Sequence, residues 1–113
     1  MNIEELQILC SSFPGVTEDI KWGNDLCFLI ANKMFCVIGL DSTPLTVSFK
    51  TTEEDFDQLT TRLHIKPAPY MARYKWVLVE DSSVLTSKEW EHYIAQSYRL
   101  IKGKLSAKVQ ASL

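Results

Sequence analysis

The sequence predicts an α+β fold: two layers, with a mainly antiparallel sheet of about five strands and helices on one face. Three observations predict it. Apolar residues recur at helical spacing near both ends of the chain. Short, β-rich apolar runs crowd the first half and return once after Pro69. The connections among the first three of those runs are too short for parallel crossovers.

The elements follow in order. Ile3, Leu6, Cys10 and Phe13 form one stripe that Pro14-Gly15 ends, which is a short first helix. "DLCFLI" and "MFCVIG", joined by Ala31-Asn32-Lys33, read as a β-hairpin. In "LTVSFK", Val47 and Phe49 point one way and Thr46, Ser48 and Lys50 the other, as in a half-buried strand. "TTEEDFDQLTTRL" opens with a capping-box pattern, and Phe56, Leu59 and Leu63 give it an apolar face. "KWVLVE" is a further strand, Trp76 and Leu78 on one face with Val77 and Val79 on the other. Thr86 and Glu89 then cap a long helix through Lys102, with Trp90, Ile94, Ser97 and Ile101 inward and Gly103 as a left-handed stop. The order is helix, three strands, helix, one or two strands, helix. One feature departs from a plain two-layer domain: "LCFLI" and "MFCVI" are apolar on both faces. Strands covered on both sides read this way. The expectation is that the C-terminal segment, a second subunit or a partner covers the second face.

At 113 residues the chain has the length of one domain, 1–113. Its N-terminus, "MNIEELQILC", carries acids where a secretion signal needs cations, and no apolar run approaches a membrane span. A cytoplasmic, non-membrane protein is expected. Cys10, Cys27 and Cys36 sit within apolar patterns without C-x-x-C spacing and read as reduced core residues. His64 lies in an expected loop with Ile65-Lys66-Pro67, and His92 on an exposed helix flank. No nucleophile motif accompanies either. Glu53, Glu54, Asp55 and Asp57 suit a helix N-terminus without any metal. The four glycines are scattered and build no phosphate loop. The reading is therefore a non-enzyme with neither cofactor nor metal.

Charge is polarised. Met1–Asp57 holds ten acids and three bases, a net of −7, whereas Gln58–Leu113 holds four acids and nine bases, a net of +5. Such polarity steers an anionic partner, unless the two halves neutralise each other in the fold.

Five segments together resemble the MmcQ/YjbR family: "FPGVTEDIKWGND", "KMFCVIGL", "VSFKTTEEDFDQL", "PAPYMARYKWV" and "SYRLIKGKL". Lys50 and Thr51 fit the family's S-x-K-T turn, Tyr70, Lys75 and Trp76 its P-Y…K-W segment, and Ser97 and Tyr98 its S-Y pair. The resemblance implies a compact α+β domain similar to CyaY and to type III secretion chaperones. It also implies DNA binding through a "double wing" of loops, and it attaches no particular enzymatic activity. On that reading the phosphate contacts fall to Lys50, Lys66, Arg73, Lys75, Arg99, Lys102 and Lys104, with Lys108 as a further candidate. Tyr70 and Tyr74 are available to stack on bases or to bond phosphate. A net charge of −2 and the absence of any helix-turn-helix signature point to weak, mostly non-specific binding. The alternative is a protein-interaction or chaperone-like module, homodimeric or partner-bound, on the apolar sheet face, with Cys27, Leu29 and Val37 as its probes.

Overall fold

The computed structural model describes residues 1–113. Six antiparallel strands form one sheet: β1 (Val16–Lys21), β2 (Asp25–Ile30), β3 (Lys33–Gly39), β4 (Thr46–Lys50), β5 (Ile65–Pro67) and β6 (Trp76–Val79), in the spatial order β1-β2-β3-β4-β6-β5. The helices are α1 (Ile3–Ser11), α2 (Glu53–Leu59), α3 (Ser87–Lys102) and α4 (Ala107–Ala111). No helix is long and apolar enough to cross a membrane.

The α+β class holds, with one strand more than expected. β1 runs through "VTEDIK", whose burial follows no alternation, yet it pairs along its whole length with β2, from Val16↔Ile30 to Lys21↔Asp25. Its charges suit an outer edge, where unpaired backbone would otherwise invite a foreign strand. At the opposite edge, Ile65–Pro67 is β5 and not the expected loop, with Ile65 opposite Val79. A proline is tolerated there because an edge strand has a side with no ladder bonds to make.

The hairpin between β2 and β3 turns on Ala31 and Asn32, both in the left-handed region at φ 48° and 64°, so Lys33 belongs to β3 and not to the turn. Two successive positive φ values match the right-handed twist of the flanking strands. The register slips between Phe28 and Leu29, leaving Phe35 as an extra residue between Met34 and Cys36. That bulge lets Phe35 and its neighbour Cys36 both be fully buried.

α1 is capped by Asn2, which accepts from the Glu5 N–H at 2.8 Å while Glu5 accepts from the Asn2 N–H. α2 is capped by Thr52 and ends at Thr60, so Leu63 lies beyond the helix and is 80% exposed. The expected apolar face of α2 is therefore two residues, Phe56 and Leu59. α3 has the expected box: Glu89 N–H donates to Thr86 Oγ1, and Thr86 N–H to Glu89 Oε1. Gly103 ends it at φ −63°, not in a left-handed cap. Its value is space, since a Cβ there would approach the Arg99 carbonyl to 3.3 Å.

The core lies between the sheet and the helices. Phe28, Phe35, Ile38, Phe49, Val77 and Val79 meet Leu6 and Cys10 of α1 and Trp90, Ile94 and Tyr98 of α3. Phe49 stands edge-on to Trp90, and Phe35 edge-on to Tyr98, which stacks on Phe13. The C-terminal segment joins this side, with Leu113 closing over Gly15. It does not cover the second sheet face. There the β1–β2 turn and the loop before β6 flank a groove.

Candidate functional site

The sheet ends, near the C-terminus of β4, in a knot of polar contacts that uses several of the residues shared with the resembled family. Ser97 on α3 is fully buried. Its hydroxyl donates to the Phe35 carbonyl at 2.6 Å and accepts from the Lys50 N–H at 3.0 Å, pinning the helix to β3 and β4. Thr51 donates twice to the Lys75 carbonyl, from its N–H at 2.8 Å and its hydroxyl at 2.9 Å. Lys75 reaches that position through a left-handed residue, φ 64°, after a 3₁₀ turn over Ala72–Tyr74. Lys50 is only 8% exposed, and its ammonium donates to the Tyr74 carbonyl. Tyr98 donates to the Pro14 carbonyl at 2.6 Å. The shared Ser, Lys, Thr and Tyr residues thus fasten strand, loop and helix to one another.

The same knot gathers cations. Burial pulls the Lys50 ammonium below its usual lysine value, and the adjacent Lys104 ammonium pulls it in the same direction. Lys104 in turn lines a shallow hollow with Lys33, Ile101 and Leu105. No carboxylate lies within 4.0 Å of Lys33, Lys50, Lys75, Lys102 or Lys104. Lys33 was not singled out in the sequence, because its place beside Lys104 depends on where the hairpin meets α3.

The other candidates are distributed differently. Lys66 on β5 stands 3.6 Å from Glu80, in an exposed ion pair. Arg73 lies over the Tyr74 ring, its guanidinium carbon 4.8 Å from the centroid, and Lys75 over Phe56 at 5.0 Å. Lys102 reaches over Tyr98 at 5.9 Å. Arg99 is exposed on α3 near its end, and Lys108 lies on α4. Tyr70 is fully exposed at φ 66° in the Pro67–Tyr74 loop, on the other side of the sheet from the helices.

That loop forms one wall of a groove. Across from it stands Trp22 of the β1–β2 turn, 69% exposed and also left-handed at φ 51°. Between them Met34, Val37 and Leu78 form an apolar floor, and the cavity is about 520 Å³. Cys27 and Leu29, expected as surface probes of this face, are 0% and 5% exposed and belong to the interior. Only Val37 of that set lines the groove.

The remaining reactive groups are quiet. The Cys36 thiol is pushed well up by its hydrogen bond with Cys10 and by burial, and Cys27 is raised mainly by burial. Such thiols stay protonated and are poor nucleophiles. His64 sits 4.0 Å from Glu80, and His92 packs edge-on against Tyr93.

This fold and the fastened S-x-K-T turn define a small α+β class with one helix-covered sheet. The YjbR family model matches residues 11–100, and the chain belongs to that family. A Deinococcus radiodurans protein described as a DUF419 domain superposes with a TM-score of 0.89 at 18% identity, over 98% of this chain and 86% of that one. A Pseudomonas syringae protein superposes with a TM-score of 0.71 at 19% identity, over 88% of this chain and 98% of that one. No curated protein matches.

Proposed function

We propose that the protein binds nucleic acid weakly, through phosphate contacts made at the cationic end of the sheet and not through base reading. The observation that carries the reading is the neighbouring pair Lys50 and Lys104, with Lys33 against the same hollow and no carboxylate partner among them. Like charges in one place repel, and an anion seated between them relieves that repulsion. Lys75, Arg99 and Lys102 are further cations without an acid partner. Lys50 supplies charge from below while its ammonium holds Tyr74, so Lys104 and Lys33 are the groups free to meet a phosphate. Lys66, paired with Glu80, contributes least. On this reading the protein is a binding module and not an enzyme.

The test is binding to a short labelled DNA duplex at several salt concentrations. Log affinity should fall linearly with log salt, with a slope of about −0.9 for each phosphate neutralised. Replacing Lys33 and Lys104 together by Gln should flatten the slope by about two contacts. Absence of binding at low salt overturns the reading, as does a slope the double variant leaves unchanged.

The competing reading, a protein-interaction module on the apolar sheet face, has less support. The most apolar residues of that face, Cys27 and Leu29, are interior, and what remains open is a concave groove between two loops.

A further inference from the structure

The groove on the helix-free sheet face has the size and lining of a small-molecule site. At about 520 Å³ it lies within the usual range for such sites. Its walls are aromatic, Trp22 on one side and Tyr70 on the other, and its floor is Met34, Val37 and Leu78. Two large rings held out in solvent on left-handed residues are costly arrangements unless something uses them.

Two polar groups interrupt the apolar lining, Asp25 and Ser48. Neither the Asp25 carboxylate nor the Ser48 hydroxyl makes a hydrogen bond within the chain, and no ion pair engages Asp25. Lys21, its register partner on β1, stays beyond 4.0 Å. Asp25 is half-buried and is the one charged residue of the lining. By register, Cys27, Val37, Ser48 and Leu78 cross the sheet in one row, and Asp25 lies on β2 one row away. The two polar groups are then about 11 Å apart at their backbones, from two strand spacings and one side-chain repeat. That is the span of a two-ring molecule or a short alkyl-aromatic one.

We propose that this groove binds a small aromatic or apolar amine, its body between Trp22 and Tyr70 and its cationic nitrogen on Asp25. The carboxylate supplies a charge-assisted hydrogen bond, and the indole and phenol faces favour a cation beside them. The Ser48 hydroxyl orients the far end of the ligand. A nucleic-acid strand suits this groove poorly, because its charged lining is acidic, so the site is separate from the cationic end of the sheet.

The test titrates the protein with dansylcadaverine, a naphthalene carrying a primary amine, against 1-anilinonaphthalene-8-sulfonate, an aromatic anion. Saturable binding of the amine is expected, at least tenfold tighter than the anion. Asp25→Asn should weaken the amine about tenfold and leave the anion unchanged or tighter. Val37→Trp, which fills the floor, should abolish both, with far-UV circular dichroism confirming the fold; if that variant does not fold, the Asp25→Asn result decides. Equal affinity for the two probes, indifference to Asp25→Asn, or no amine binding overturns the proposal. So does sedimentation as a dimer that takes up the probe only on dissociating, which assigns the face to a second copy. Duplex binding should be unchanged in Asp25→Asn, so either reading can fail without the other.

Discussion

The two faces of the sheet are built from the same strands and solved differently. On the helix side, β2 contributes Leu26, Phe28 and Ile30 to a continuous core, closed by Trp90, Ile94 and Tyr98 at full burial or close to it. On the other side the same strand contributes Cys27 and Leu29, also buried, but the next strands offer Val37, Ser48 and Leu78, which are not. A helix fills its contact by interdigitation and leaves little void. Two loops cannot; they roof the edges and leave a groove between them. A strand that is apolar on both faces therefore need not signal two equivalent layers.

Truncation on the two faces measures the difference most directly. Trp90→Ala empties the centre of the helix-side core and breaks the indole bond to the Ser82 carbonyl, so a loss of about 3–5 kcal/mol is expected in denaturant unfolding. Leu78→Ala on the groove floor should lose less, about 1–2 kcal/mol, since that side chain is not fully buried to begin with. Equal losses would show that the groove side is as tightly filled as the core, and the comparison would fail.

The knot that joins the faces comes next. Ser97→Ala leaves the Lys50 N–H without its acceptor and the Phe35 carbonyl without its hydroxyl donor, in a buried setting. A loss of about 1–3 kcal/mol is expected, and hydrogen exchange at the Lys50 amide should accelerate with it. Exchange unchanged at Lys50 would show that the hydroxyl is not what holds α3 to β4.

The smallest effect lies at the outer end of α3. Glu89 is held below its ordinary value of 4.5, first by the Arg62 guanidinium at 2.7 Å and then by the Thr86 N–H. A carboxyl depressed in the fold stabilises above its unfolded pKa, and that contribution drains away as pH falls through the folded value. Both partners are about one-third exposed, so Glu89→Gln should cost no more than about 1 kcal/mol at pH 7. The variant should lose less than the parent as pH drops below the glutamate range. An identical acid limb in both would mean that the pair contributes nothing.

Much of this was legible in the chain. The Trp90–Ile94–Ser97 stripe, the Thr86–Glu89 box and the hairpin runs follow from periodicities of 3.6 and 2, which a local element imposes on its own residues. β1 and β5 were not, because "VTEDIK" and "IKP" have no apolar rhythm and become strands only beside partners with free backbone groups. The candidate cations differ in what surrounds them, which the chain does not spell out. Arg73, Lys75, Arg99, Lys102 and Lys104 remain unpaired with acids, whereas Lys66 meets Glu80 and Lys50 is drawn inward to Tyr74.

The α+β class, the family and the order of the strongly periodic elements can be read from the chain, because each rests on local patterns written within short segments. Three-dimensional packing alone brings Lys33 and Lys104 to one hollow, sets Trp22 and Tyr70 on one groove and leaves Asp25 unpaired in its lining. Those meetings join residues tens of positions apart, and their geometry is set by sheet order, a bulge at Phe35 and left-handed turns, which act between elements and leave no period in the chain.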